Sequence, residues 1–240
     1  MKGVILAGGL GTRLYPLTHA TNKHLLPVYD KPMVYYPIQT LVNVGIKDII
    51  LVIGGPHAGD FIKVLRNGEE FGLNSIQYIY QEGEGGISAA ISLTEKAVAG
   101  DDITVILGDN TTDADISKSV SEFTSGAVSF FKEVKDPRRF GVAVFDKENN
   151  LIEIEEKPKE PKSNFANTGL YIFDNTCFER IKSLAPSARG ELEVPDLQNT
   201  YINDKLMKWS LLEGFWHDAG TFETLFEASE YWANKKRELN

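Results

Sequence analysis

The stretch Gly3-Val4-Ile5-Leu6-Ala7-Gly8-Gly9-Leu10-Gly11-Thr12-Arg13-Leu14 decides the fold. Gly3–Ala7 is an apolar run with no polar alternation, the pattern of a strand buried on both faces. It leads straight into Gly8, Gly9 and Gly11, then into Thr12 and Arg13. Glycine lets a backbone come close to a phosphate and aim N–H groups at it. Arg13 can grip phosphate oxygens with both prongs of its guanidinium. Two familiar loops are excluded. A Walker A loop closes on Gly-Lys-Ser/Thr, which is absent, and a dinucleotide fingerprint needs a third glycine where Leu14 stands. A plain tight turn is the simpler alternative, and the loop by itself names no reaction.

Alternating elements follow. Pro32–Val44 reads as a helix, with Asp30 before it and Gly45 after it. Asp48–Ile53 reads as a strand, His57–Leu65 as a helix, Ser75–Tyr80 as a strand, Ile87–Val98 as a helix and Ile103–Leu107 as an apolar strand. Unbroken apolar strands spaced by helices predict a parallel sheet covered on both faces, with right-handed crossovers. Beyond about residue 125 the texture changes. Ala127–Val134, Gly141–Phe145, Leu151–Glu155 and Thr168–Phe173 read as strands, with a helix near Asn175–Ser183 and a last helix over Thr221–Lys236 capped by Thr221. With no repeat and no long linker, the expectation is one α/β domain over residues 1–240. It has a Rossmann-like, mostly parallel central sheet flanked by helices, whose first half (about 1–125) binds nucleotide and whose second half (about 126–240) is mixed.

Composition narrows the partners. The chain has 240 residues, is 42% hydrophobic and carries a formal charge of −9. That charge argues against a nucleic-acid backbone as partner but leaves room for a small phosphorylated ligand. A single cysteine, Cys177, cannot form an intrachain disulfide, which points to a reducing cytoplasm. It reads as a small core residue rather than a nucleophile. No apolar run is long enough for a signal peptide or a membrane span.

Two acids stand where chemistry is expected. Ile103–Leu107 ends in Gly108-Asp109-Asn110, and ligands of open parallel sheets bind at the carboxyl ends of strands. Phe215-Trp216-His217-Asp218-Ala219-Gly220-Thr221 offers a second carboxylate. Two carboxylates together with phosphate oxygens suit Mg²⁺, for which His217 is a poor ligand. The plainer reading of Asp109 is a helix cap. Lys23 lies in a segment bracketed by Pro16 and Pro27, and can fold back over the glycine loop as a second cation; a lysine of this kind is otherwise merely solvated. No Ser-His-Asp or Cys-His arrangement is apparent. A phosphate nucleophile is already anionic and needs positioning and charge neutralisation, not a base.

These residues carry a resemblance. The segments Leu6–Pro16, Asn22-Lys23-His24-Leu25-Leu26-Pro27-Val28, Lys31–Pro37, Leu107-Gly108-Asp109-Asn110, Glu155-Glu156-Lys157-Pro158, Ala188-Arg189-Gly190-Glu191-Leu192-Glu193 and Trp216–Thr221 keep the order found in sugar-nucleotide pyrophosphorylases, over nearly the whole chain. The chain resembles that family, and within it the branch that joins dTTP to glucose 1-phosphate. The resemblance implies a nucleotide-diphospho-sugar transferase fold, with a sugar-binding second half, and an enzyme serving dTDP-sugar biosynthesis. It implies that Gly8, Gly9, Gly11, Thr12, Arg13 and Lys23 hold the triphosphate. Leu6, Gln81 and Gly86 are to hold the base, and Asp109 and Asp218 the Mg²⁺. Gly141, Glu156, Lys157, Thr168, Gly169, Tyr171 and Arg189 are to hold the sugar phosphate, with Arg13, Lys23, Asp109 and Lys157 catalytic. On composition alone, Lys157 would pass for a surface residue in a mixed-charge strand and Gln81 for a polar loop residue.

The chain departs from the family pattern at Thr111-Thr112-Asp113 and at Asn167, where apolar residues are usual, and in the loop Gln81–Ala90. It stops soon after the Thr221 helix, so the second, regulatory nucleotide site of longer relatives is expected to be absent or altered. The resemblance also implies a homo-oligomer, dimer or tetramer. Met33–Tyr36 and Tyr231-Trp232 read equally as core or as interface. Three functions are compared: the dTTP reaction, the same reaction with UTP or another hexose 1-phosphate, and a non-catalytic sugar-nucleotide sensor. The sensor ranks last because Arg13, Lys23, Asp109, Lys157 and Asp218 are all present.

Overall fold

The computed structural model describes residues 1–238. Its first half runs β1 (Lys2–Ala7), β2 (Pro27–Val28), β3 (Lys31–Pro32), α1 (Tyr35–Asn43), β4 (Asp48–Gly54), α2 (Ala58–Leu65), β5 (Ser75–Gln81), α3 (Ile87–Ser92), α4 (Glu95–Val98), β6 (Ile103–Leu107), β7 (Asn110–Thr112) and α5 (Ser117–Ser121). The second half runs β8 (Ala127–Glu133), β9 (Gly141–Phe145), β10 (Leu151–Glu156), β11 (Phe165–Phe173), α6 (Cys177–Lys182), α7 (Val194–Asn203), β12 (Met207–Leu211), β13 (Trp216–Asp218) and α8 (Phe222–Glu238).

The unbroken apolar runs become inner strands because both of their faces are covered. β1 pairs in parallel with β4 and β6, and β4 in parallel with β5. One core layer holds Ile5, Leu51, Ile53 and Ile106 against Ile38 and Leu41 of α1 and Phe61 of α2. The opposite layer holds Val4, Val52 and Val105 against Ile91, Phe178 and Leu197. The expected α/β sheet is therefore present, in the order β10-β9-β11-β6-β1-β4-β5, with β8 and β12 completing nine strands beside β11. β11 runs antiparallel to β6, Leu170 opposite Ile106 and Phe173 opposite Ile103, so the mixed half continues the parallel half without a break.

Several elements differ from the sequence reading. The helix expected over Pro32–Val44 begins only at Tyr35, because Lys31–Pro32 pair with Pro27–Val28 as a small ribbon. Asp30 caps nothing; its carboxylate takes Lys236 of α8 at 2.5 Å. The helix expected over Ile87–Val98 is broken between Ser92 and Glu95, where the Thr94 hydroxyl donates to the Ile91 carbonyl at 2.7 Å. Such side-chain bonding competes with the helical ladder. The strand expected over Thr168–Phe173 begins at Phe165. β7, β12, β13, α5 and α7 are additions that no periodicity announces: the three strands and α5 are short, and the ten-residue α7 is only weakly amphipathic.

Met33 and Tyr36 lie in the core, with Trp232 partly buried against them. The Tyr36 and Trp232 rings lie 4.7 Å apart, and Met33 is buried beside them. Tyr231 stacks on Phe215 at 3.7 Å. Among the described residues no helix is long and apolar enough to cross a membrane.

Candidate active site

β1 and β6 are adjacent and parallel, so their carboxyl ends bring the glycine loop beside Asp109. The turn that follows is tight. Gly11 has φ 69°, and a β-carbon there would sit 2.8 Å from Cβ of Lys23. Only glycine lets the Lys23 stem pass at that point. The lysine then reaches Asp109, Nζ to Oδ2 at 2.5 Å, as a mostly buried ion pair. The Asn22 side chain accepts from the His24 N–H at 3.0 Å and caps the short turn Lys23–Leu25, which fixes the direction in which Lys23 leaves the backbone.

Asp218 arrives from the far end of the chain through a contact that the sequence does not show. β13 pairs antiparallel with β7, placing Asp218 opposite Asn110, and the Ala219 N–H donates to the Asp109 carbonyl at 2.9 Å. The two acids and Arg13 meet around Gly220. A β-carbon on that glycine would lie 2.6 Å from an Asp218 oxygen, 3.1 Å from a guanidinium nitrogen of Arg13 and 3.5 Å from an Asp109 oxygen.

The electrostatics separate the two acids. Burial works to raise the Asp109 carboxyl, but the charges of Lys23 and Arg13 outweigh it and hold the group well below the usual carboxylate range. Burial and then the Asp109 charge push Asp218 upward. Burial, and then Lys23, lower His24 to about 3, so its ring is neutral near pH 7. Its Nδ1 lies 2.7 Å from the Asn22 oxygen, which can only accept, so Nδ1 carries the proton. Two hard carboxylates beside two cations suit a divalent ion that arrives with phosphate oxygens.

Two adjoining cavities open from this cluster. The first, about 320 Å³, is lined by Leu6, Gly8, Gly9, Lys23, Gln81, Gly86 and Asp109. The second, about 640 Å³, is lined by Thr12, Arg13, Gly141, Thr168, Gly169, Tyr171 and Asp218. Glu156, Lys157 and Arg189 line both. Lys157 is held at φ 45°, a sparsely populated conformation for a side chain-bearing residue, directly after β10. Its ammonium lies 3.0 Å from a Glu156 oxygen, which Arg189 also contacts at 3.0 Å. Burial, and then the Glu156 charge, raise the Tyr171 hydroxyl, which therefore stays protonated.

Of the residues given a triphosphate, base, sugar-phosphate, catalytic or metal role from sequence, only Gly11 lines neither cavity, because it sits behind the Lys23 stem. His217 takes no part either; its Nε2 faces Glu227 at 3.5 Å. Cys177 is buried in the core, and burial raises its thiol pKa. Thr111, Thr112 and Asp113 form a polar seam to β13 and α8, with the Thr112 hydroxyl on the Phe215 carbonyl at 2.7 Å and Asp113 taking Lys235 at 2.5 Å. None of the three lines either cavity, whereas Asn167 lines the larger. Sequence reasoning missed Glu193, Asn110 and Trp216 as parts of the site. Glu193 is buried and holds Arg189 at 2.9 Å. Asn110 and the Trp216 indole both donate to the Thr168 carbonyl, at 2.5 and 3.1 Å. The order of matching segments contained all three, but nothing local marks them.

Comparison with known proteins agrees with this arrangement. The nucleotidyl transferase family model matches residues 2–235. The chain is 44% identical over 237 residues to the glucose-1-phosphate thymidylyltransferase of Neisseria meningitidis serogroup A, covering 96% of this chain and 82% of that protein. It is 40% identical over 236 residues to the enzyme of the same name from Mycolicibacterium smegmatis, with the same coverage. A crystal structure from Bacillus anthracis, designated a glucose-1-phosphate thymidylyltransferase in complex with sucrose, superposes with a TM-score of 0.91 at 47% identity, covering 96% of this chain and 94% of that one. A UDP-glucose pyrophosphorylase bound to UDP-glucose shares the fold at a TM-score of 0.83 and 22% identity, covering 98% of each chain. The strand-to-glycine-loop entry, the paired acids and these likenesses lead to one conclusion: the chain belongs to the nucleotidyl transferase family.

Proposed function

We propose that the protein forms dTDP-glucose and pyrophosphate from dTTP and α-D-glucose 1-phosphate. The observation that carries this reading is the meeting of Arg13, Lys23, Asp109 and Asp218 between two cavities that share Lys157 and Arg189. The names of the most similar relatives supply the substrates. The first cavity takes the nucleotide: Leu6, Gln81 and Gly86 face the base, and the loop Gly8–Arg13 with Lys23 holds the triphosphate. The second takes the sugar, with Gly141, Glu156, Thr168, Gly169 and Tyr171 around the ring and Lys157 and Arg189 on its phosphate.

The sugar phosphate oxygen attacks the α-phosphorus, the bond from that phosphorus to the β-phosphate bridging oxygen breaks, and pyrophosphate leaves with the electron pair. The attacking oxygen is already anionic, so no proton has to be removed. Arg13 and Lys23 meet negative charge on the triphosphate, and Lys157 and Arg189 orient the nucleophile. Asp109 and Asp218 would hold Mg²⁺, which supplies charge neutralisation at the phosphates when bound. Residues 1–240 act as one domain. A homo-oligomer and a cytoplasmic setting complete the reading.

The test is pyrophosphate release with Mg²⁺, glucose 1-phosphate and each of dTTP, UTP, ATP, CTP and GTP. Release fastest with dTTP is expected. One methyl group separates dTTP from UTP at the base and is worth about 1–3 kcal/mol, so slower use of UTP is consistent. Release with a different nucleotide moves the specificity. Silence with every nucleotide and every sugar 1-phosphate removes the enzyme reading in favour of a sensor.

A further inference from the structure

We infer that Asn167 accepts a hydrogen bond from one hydroxyl of the sugar and is a specificity-determining residue for the sugar 1-phosphate; this rests on the assignment of the larger cavity to the sugar. Asn167 lies on β11, is 6% exposed and lines that cavity. Its amide nitrogen is committed, donating to the Gln198 carbonyl oxygen at 2.7 Å. Gln198 is fully buried and donates in turn to the Ser129 hydroxyl at 2.6 Å. The relay fixes the orientation of the Asn167 amide and leaves its Oδ1 buried with no donor among the described residues. A carbonyl oxygen left this way costs about 1–3 kcal/mol.

The space beside Asn167 has a definite character. A β-carbon on Gly141 would lie 3.2 Å from Cγ of Pro195, 3.4 Å from Cβ of Asn167 and 3.5 Å from a Glu156 oxygen. The glycine therefore leaves space bounded by Pro195, Asn167 and the Glu156 carboxylate. Asn110, on the same cavity, repeats the arrangement: its nitrogen donates to the Thr168 carbonyl, and its Oδ1 also lacks a donor. A wall of acceptors without donors is matched by a ligand carrying several O–H groups around a ring. If Asn167 served only to stiffen the core, removing it would affect every sugar alike. If it reads a hydroxyl, removing it should cancel the penalty for one missing hydroxyl and leave the others.

The experiment measures kcat/KM at saturating dTTP for glucose 1-phosphate and its 2-, 3-, 4- and 6-deoxy analogues, in the wild type, Asn167→Val and Asn167→Asp. Should another sugar 1-phosphate be the one turned over, its deoxy series is used. The wild type is expected to penalise one deoxy compound by about tenfold. Asn167→Val should lose that penalty alone, with the KM for dTTP unchanged. Asn167→Asp keeps an acceptor, and a charged one, so it should penalise the same compound at least as strongly. Asn167→Leu, a second variant without an acceptor, should behave as Asn167→Val does and takes its place if the valine variant does not fold. Identical deoxy ratios in the wild type and these two acceptor-free variants overturn the inference and leave the function standing. No turnover by the wild type with any sugar 1-phosphate removes the reading of the site, and this inference with it.

Discussion

Lys23 and Asp109 show how much one pair of residues decides. The lysine occupies one acid oxygen at 2.5 Å, and burial, then the charge of that first acid, push the second acid, Asp218, upward. Removing the charge of Asp109 should disable the chemistry without unfolding the chain. Asp109→Asn is expected to lower turnover by about a hundredfold or more, with an unaltered circular dichroism spectrum; near-normal Mg-dependent pyrophosphate release would refute the assignment. His24 gives a prediction on stability. Its folded pKa is about 3 against 6.5 in the unfolded chain, so below 6.5 the unfolded state binds the extra proton. Stability therefore falls as pH drops from 6.5, by up to about 1.4 kcal/mol per pH unit. Asp109 acts in a lower window, because its depressed folded pKa gives a stabilisation complete above about pH 4 and lost only below it. Urea melts of His24→Gln should show a flatter acid limb between about pH 6 and 4.5 than the wild type. Parallel limbs would mean that the native histidine is already charged.

At the scale of elements, the critical junction is where α3 meets the segment before α7. Gly86 has φ 89°, and a β-carbon there would lie 2.6 Å from the Leu192 carbonyl oxygen and 2.9 Å from its nitrogen. Backbone bonds close the junction, Leu192 N–H to Gly85 at 2.9 Å and Ser88 N–H to Leu192 at 3.1 Å. Neither side can yield, since both are backbone. Gly86→Ala should lower the melting temperature by several degrees, at about 2–4 °C per kcal/mol in a chain of this size. It should also weaken substrate binding, because the same segment carries Arg189 and Glu193 into the site. A variant with wild-type melting temperature and KM would show that the loop has another conformation available. The loop glycines were visible in the sequence as a run; the partner they face was not, because Leu192 lies about a hundred residues away and carries no local signal.

For the whole molecule, β11 matters most. It pairs with β6 of the parallel half and with β8 and β9 of the mixed half, so no seam divides the sheet. Calorimetry should therefore give a single unfolding transition whose van't Hoff and calorimetric enthalpies agree. Two resolved transitions would mean that the halves fold as separate units. The site spans the same junction, with Asp109 from one half and Asp218, Lys157 and Arg189 from the other.

The sequence by itself determined the elements whose signal is local. β1, β4, β6 and β9 were legible because a strand covered on both faces, or a short apolar strand between turns, must be apolar throughout. The glycine loop was legible because close backbone approach requires glycine, and the order of short segments carried the family and the site residues. Tertiary structure alone decided what depends on pairs distant in the chain. The Pro32 helix reading failed for a local reason, the pairing of Lys31–Pro32 with Pro27–Val28 in a ribbon too short to show a period. Tertiary structure brought Asp218 beside Asp109 through the ribbon of β7 and β13 and set Gln198 of the unforeseen α7 behind Asn167. The first of these contacts joins residues about a hundred positions apart through strands too short to show a period, and the second comes from a helix with only a weak pattern, so only the folded backbone specifies them.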